Sequence, residues 1–303
     1  MLAIGFDPSF IDTLVRAENI DGSLAKDLPS PGYHNRTPTI TRIAGGNGVN
    51  LSAMLTSMDI EHTLVVPCDQ EFEILLNKRN IKTIEKIQCG VNNSVGVTWL
   101  AGEIQFNDAK FGPGRAQWNQ IIHNLWKDSP LHCYLNWGLN PNSIEWVSIQ
   151  WLVSCGWSYQ EIIEENDLFN QAIKTEYPRN SILLEPGSVQ FHKDNIKLNP
   201  LLNHMAKSSQ ELEYAVFISN EEEYKEYSNI VMKQYILHTS EFVSLKQNDK
   251  TKRYKVPRLM KEPSTYVGAG DAFLAGIVKS LMNNILDPEV GILIAQDFLN
   301  GKL

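Results

Sequence analysis

The sequence predicts an α/β fold, a mostly parallel sheet with helices on both faces. Short apolar runs that read as strands alternate with segments whose apolar residues recur at helical spacing, the pattern of strands joined by crossover helices. Two glycine-rich turns, one near each end of the chain, each open a helical pattern. At 303 residues and 43% hydrophobic composition, the chain can bury a large core, as one big domain or a domain with an appendage.

The formal net charge of −8 argues against a nucleic-acid or anionic-membrane partner. No uninterrupted apolar run is long enough to cross a bilayer, and the apolar start at residues 2–6 is cut short by Asp7, which reads as a strand rather than a signal peptide. Cys68, Cys89, Cys133 and Cys155 lack metal-binding spacing and suggest buried, reduced thiols. A cytoplasmic protein without zinc is the expectation.

Residues 2–6 read as the first strand. Residues 13–42 alternate weakly and carry Gly22, Pro29, Pro31, Gly32 and Pro38, which rules out a helix there. Gly45-Gly46-Asn47-Gly48-Val49-Asn50 then opens a helix over 47–58, with Leu51, Met54, Leu55 and Met58 on one face. No Gly-Lys-Ser/Thr follows, so this is not a P-loop; Leu51 stands where a dinucleotide fingerprint needs its third small residue. Strand 62–67, helix 69–80 and strand 83–88 come next, then a hairpin of 94–101 and 103–107 around Gly102. Arg115 begins a helix striped by Trp118, Ile121, Ile122, Leu125 and Trp126, and 131–136 is a strand. Two helices, 144–155 and 159–174, share a cluster of Trp137, Trp146, Trp151 and Trp157 that reads as core, and 181–186 is strand plus turn.

Strand 214–219 leads into Asn220-Glu221-Glu222-Glu223, where Asn220 with Glu223, or Ser219 with Glu222, also fits a helix capping box. The last glycine turn, Gly268-Ala269-Gly270, precedes Asp271 and a helix with Leu274, Ile277, Val278, Leu281 and Met282 on one face. Small residues at a helix N-terminus admit a ligand close to the backbone, and the amides and dipole there favour an anion. Beside a bound anion, Asp271 can take a proton from a hydroxyl; read alone, it is equally a first-turn carboxylate favouring the helix dipole. A helix over 288–299 closes the sequence.

Taken together, GGNGVN near the start and VGAGDAFLAG near the end resemble the ribokinase-like (PfkB) carbohydrate kinase family in type, order and chain length. The resemblance implies a single kinase domain over 1–303, a three-layer fold with a small β-sheet lid from about 10–42 and 94–108. It implies an ATP-dependent transfer of phosphate to a hydroxyl, with Mg²⁺, Asp271 as general base and Gly268, Ala269 and Gly270 as the anion hole. Asp12, Gly45, Gly46, Asn47 and Asn50 would bind the hydroxylated substrate, although Phe10 replaces the asparagine that usually precedes Asp12. Asn220 and Glu223 match the motif that organises Mg²⁺ around the phosphates, with Glu223 the metal-side carboxylate, and Glu185 replaces a usual aspartate. The nucleotide's path runs by His238 and Ser240, where both usual glycines are missing and β-carbons crowd the passage.

The substrate remains open among a sugar, a sugar acid, a nucleoside and inositol. Asn47 suits a neutral sugar or ribose, whereas Arg36, Arg42 and Arg115 would suit an acid. An ADP-using sugar kinase and a catalytically silent sugar or nucleotide sensor are the alternatives, and a homodimer through the lid is the expected assembly.

Overall fold

The computed structural model describes residues 2–5, 9–19, 21–28, 39–81, 84–87, 90–100, 102–108, 131–135, 158, 160, 161, 164, 181–185, 215–221, 224, 225, 234–247, 249–259 and 268–303. The expected helix from Arg115, the tryptophan cluster and most of 137–180 fall outside them. In chain order the elements are β1 (Leu2–Gly5), β2 (Phe10–Arg16), β3 (Thr39–Gly45), α1 (Asn47–Ser57), β4 (His62–Pro67), α2 (Gln70–Lys78), β5 (Ile84–Ile87), β6 (Asn92–Trp99) and β7 (Gly102–Asp108). β8 (Leu131–Leu135), β9 (Ser181–Glu185), β10 (Ala215–Ser219), β11 (Gln234–His238), β12 (Phe242–Gln247), β13 (Lys250–Lys255), α3 (Ala269–Leu281) and α4 (Pro288–Leu299) follow.

The strands form two sheets. The larger has nine, in the order β13-β12-β11-β10-β9-β8-β1-β4-β5. Its pairs are parallel from β11 through to β5, and antiparallel where β12 and β13 fold back at the far edge. Every residue of β4 is buried, so both faces of the sheet are covered there, as the unbroken apolar run Leu64-Val65-Val66 requires. The smaller sheet has four strands, β3-β2-β6-β7, drawn from the two segments expected to make a lid.

Local chemistry accounts for the helix boundaries. Asp69 caps α2 by accepting the Phe72 amide, and Asp287 caps α4, with Pro288 in the first turn. α3 is buried from Ala272 to Val278 and packs against both α1 and α4. The α3–α4 crossing is close: a Cβ on Gly276 would lie 2.6 Å from the Gly291 Cα. One buried cluster runs from Leu51 and Leu55 through Leu64, Phe72 and Ile218 to Phe273 and Ile277, tying α1, α2, α3 and the large sheet together.

Several expectations shift. Met282 is 46% exposed, because α3 ends at Leu281 and Met282 takes the C-cap position. Gly102 pairs with Trp99 instead of sitting in the hairpin turn. The 238–243 segment is the connection of a β11–β12 hairpin, and β13 was not read from the sequence at all. Among the described residues, no helix is long and apolar enough to cross a membrane.

Candidate functional site

β3 ends at Gly45, and Gly46 is the N-cap of α1 with φ 107°, in the left-handed half of the map that side chains avoid. Gly45 is glycine for a different reason. A Cβ there would lie 1.7 Å from Asp12 Oδ2, so the missing side chain makes room for the Asp12 carboxyl. Asp12 itself lies within β2, opposite Ile43.

Asp12 is buried, and Ser94 Oγ donates to its Oδ1 at 2.5 Å; Gln105 Nε2 donates to Ser94 Oγ at 3.3 Å. Burial pushes the Asp12 carboxyl above the usual carboxylate range, opposed by the Ser94 hydroxyl and by the charge of Arg79. Arg79 follows α2. Its Nη1 donates to the Ala44 carbonyl at 2.6 Å and to Asn50 Oδ1 at 2.9 Å, so the turn between β3 and α1 is held from behind by a guanidinium. Burial lowers the Arg79 pKa, while the charges of Asp271 and Asp12, both within electrostatic reach, raise it.

Gly268 caps α3 in the left-handed conformation, with φ 89° and no side-chain cap. That leaves the first-turn amides of Ala269 and Gly270 without a backbone acceptor among the described residues. Asp271 stands in this first turn and is half-buried. Because α1 packs on α3, the two glycine-capped helix starts belong to neighbouring helices, and Arg79 feels the carboxylates of both sides.

The half-buried ring of His238 lies against Phe273, centroids 5.1 Å apart, with its Cε1 3.9 Å from where a Gly270 Cβ would be. Burial lowers its pKa to about 4, so it is a neutral imidazole beside the α3 start. The next residues close on themselves. Thr239 N donates to the Phe242 carbonyl at 2.9 Å, and Thr239 Oγ1 accepts from the Glu241 and Phe242 amides at 3.1 and 3.0 Å. Ser240 is exposed at the tip, and the Arg253 guanidinium covers the Phe242 ring, 3.3 Å from its centroid.

At the remaining predicted positions, Asn220 follows β10 and its carbonyl accepts the Tyr224 amide at 3.0 Å, which gives Asn220 the N-cap position. Ser219 is buried at the end of β10, where it hydrogen-bonds the Tyr235 hydroxyl. Glu222 and Glu223 lie outside the described residues, as do Arg36, Arg115 and Glu185's side chain. Arg42 already pairs with Glu71 at 2.6 Å on the exposed surface. Asn50 offers its carbonyl oxygen to Arg79.

Arg79, Ser94 and Gln105 were not read from the sequence. An arginine at the end of a helix resembles an ordinary dipole partner. For Ser94 there was a faint signal, a polar residue at a buried position of the alternating strand β6.

No protein-family profile and no curated protein matches the chain. Solved structures do. Escherichia coli phosphofructokinase-2 in complex with fructose-6-phosphate is similar at a TM-score of 0.67 and 10% identity, over 98% of this chain and 92% of that one. The ribokinase of Thermotoga maritima gives 0.59 and 12%, over 98% and 90%. The Burkholderia thailandensis nucleoside kinase in complex with inosine gives 0.57 and 15%, over 97% and 88%. At such identities the likeness concerns the fold, and with it the expectation drawn from the two glycine motifs is met: this chain has the ribokinase-like fold.

Proposed function

We propose that the protein is a small-molecule kinase that phosphorylates a hydroxyl of a sugar, sugar acid, nucleoside or inositol, with Asp271 as general base. The observation that carries this is the pairing of two glycine-capped helix starts, one beside Asp12 and one bearing Asp271, with both carboxylates in electrostatic reach of one guanidinium. The similar structures are of a nucleoside kinase, a phosphofructokinase and a ribokinase, which favours the same chemistry.

ATP supplies the phosphoryl group, with Mg²⁺ offsetting its charge. The donor set suits an anion: the Gly268, Ala269, Gly270 and Asp271 amides at the α3 start would hold developing negative charge, since helix N-termini carry partial positive charge. Asn220 and Glu223 would stand on the metal side; few protein carboxylates are needed there, because Mg²⁺ keeps several waters. Asp12, Gly45, Gly46, Asn47 and Asn50 would orient the acceptor, and Asp271 would receive its hydroxyl proton. The four-stranded sheet would act as a lid that excludes water, with Ser94 and Gln105 aligning Asp12 from its inner face. A cytoplasmic location and a second copy of the chain docked on the outer lid face, where Ile40, Val95, Ile104 and Phe106 are exposed, complete the proposal. Light scattering should report a dimer that Phe106→Asp dissociates.

The test of the function is a panel of hydroxylated metabolites with ATP, ADP or GTP, read by the mass gain of one phosphate. Transfer with ADP alone would select the ADP-using reading. Calorimetric binding of a sugar with no turnover by any donor would select the sensor, which the self-closed hairpin after His238 favours.

A further inference from the structure

Arg79 is the group that joins the two halves of the site, and neither glycine motif contains it. Its Nη1 serves two acceptors on either side of the β3–α1 turn, the Ala44 carbonyl at 2.6 Å and Asn50 Oδ1 at 2.9 Å. Ala44 is fully buried and precedes Gly45, over which the Asp12 carboxyl lies. Moving the guanidinium therefore moves the floor beneath Asp12 and the start of α1 together. Arg79 forms no short ion pair among the described residues; it acts on Asp12 and Asp271 through the field of a half-buried charge, which is poorly screened where water is scarce.

We propose that Arg79 is a positioning residue of the site, clamping the β3–α1 turn through Ala44 and Asn50 and lending one positive charge to Asp12 and Asp271 together. The role deepens the kinase reading and rests on it only for what turnover measures. A base and an acceptor-binding carboxylate near each other oppose each other's ionisation; a cation within electrostatic reach of both favours the charged form of each. Arginine suits this better than lysine, because its longer, planar guanidinium is preorganised to reach both acceptors of the turn.

Among the described residues, the charges around Asp12 are already engaged elsewhere or carry the wrong sign for this task. α1 carries no titratable side chain. Arg42 and Glu71 pair with each other in solvent, as do Arg16 and Glu18. On the Asp12 face of the small sheet, Glu103 is a further acid whose carboxyl burial pushes up. At the start of α3, next to Gly270, His238 is neutral near pH 7.

The experiment titrates the carboxyl carbons of Asp12 and Asp271 by NMR in protein labelled at aspartate, assigned with D12N and D271N, in wild type, R79Q and R79K. In R79Q both titrations should move up by about one pH unit, a roughly tenfold gain in proton affinity. With the acceptor found in the panel, the acid limb of the kcat/KM profile should move up with them. Titrations that stay in place in R79Q, with activity lowered equally at every pH, would reduce Arg79 to a structural role and overturn the proposal. Should R79Q not fold, R79K decides: it keeps the charge but reaches less far, so the titrations should hold while the acceptor KM, or its calorimetric Kd, rises at least severalfold. Unchanged acceptor affinity in R79K overturns the proposal. A wild-type protein that phosphorylates no acceptor would remove the kinase reading and leave the carboxyl titrations to judge Arg79 alone.

Discussion

Asp12 shows how a single residue can be costly to the fold and useful to a site. Its carboxyl is buried, and the Ser94 hydroxyl and Arg79 charge do not fully offset the loss of water, so its pKa is raised. The sign follows from that direction. The folded state binds this proton more tightly than the unfolded chain, so stability is lost as pH rises from 3.8 through the folded value and stays lost at neutral pH. Asp12→Asn keeps the Ser94 hydrogen bond without the charge. It should raise the thermal midpoint at pH 7 while raising the acceptor KM by an amount equivalent to on the order of 1.5–3 kcal/mol. A variant with unaltered KM would take Asp12 out of the substrate pocket. Asp271 is the contrasting case, half-buried at a helix start whose dipole favours its charge. Asp271→Asn should leave the circular dichroism spectrum intact and lower kcat by roughly 10²–10⁴, with KM changed much less. Near wild-type kcat would end its assignment as the base.

Among the elements, α3 explains why the late motif extends beyond the aspartate. Gly276 faces not a ligand but the α4 backbone, with Gly291 Cα 2.6 Å and the Val290 carbonyl oxygen 2.7 Å from a would-be Cβ. Backbone cannot yield as a side chain tip can. Gly276→Ala should therefore destabilise the protein by about 1–3 kcal/mol, read in urea unfolding, despite alanine's better helix propensity. A neutral or stabilising result would show that the α3–α4 crossing is looser than its geometry states. The same helices show what a sequence makes legible. Local chemistry announces itself: Asp287 before Pro288 starts α4 where expected, and Asp69 does so for α2. Glycines at positive φ mark the two helix starts. Non-local consequences stay hidden. Arg79 becomes part of the site because α2 lies beside β3, and Ser94 because β6 pairs with β2 in parallel register, neither of which local spacing encodes. β13 escaped for another reason. It is the edge of the large sheet, and Lys250, Lys252, Arg253 and Lys255 replace the apolar alternation that identifies a strand, a charge pattern that also keeps an open edge from pairing with other chains.

At the scale of the whole molecule, two histidines make the fold sensitive to acid. His62 begins β4 and is buried; its Nδ1 donates to the Ile60 carbonyl at 2.7 Å, which leaves Nε2 to accept from Ser52 Oγ at 2.6 Å. That arrangement ties α1 to the sheet, and burial lowers the His62 pKa, which favours the neutral ring. His238, against Phe273, joins the other end of the sheet to α3 and is lowered from 6.5 to about 4. For both, the folded state refuses a proton that the unfolded chain accepts below its own pKa. Stability is therefore complete above about pH 6.5 and declines as pH falls from 6.5 toward 4, His238 alone contributing at most about 3 kcal/mol over that span. Asp12 opposes this, because its proton stabilises the fold at low pH, but it is one group against two. The thermal midpoint should thus fall steadily between pH 7 and pH 4.5. His238→Gln should flatten the slope, whereas Asp12→Asn, which removes the opposing group, should steepen it. Parallel curves for wild type and both variants would mean that neither side chain controls the acid limb, and that the loss of stability lies in His62 or in other groups.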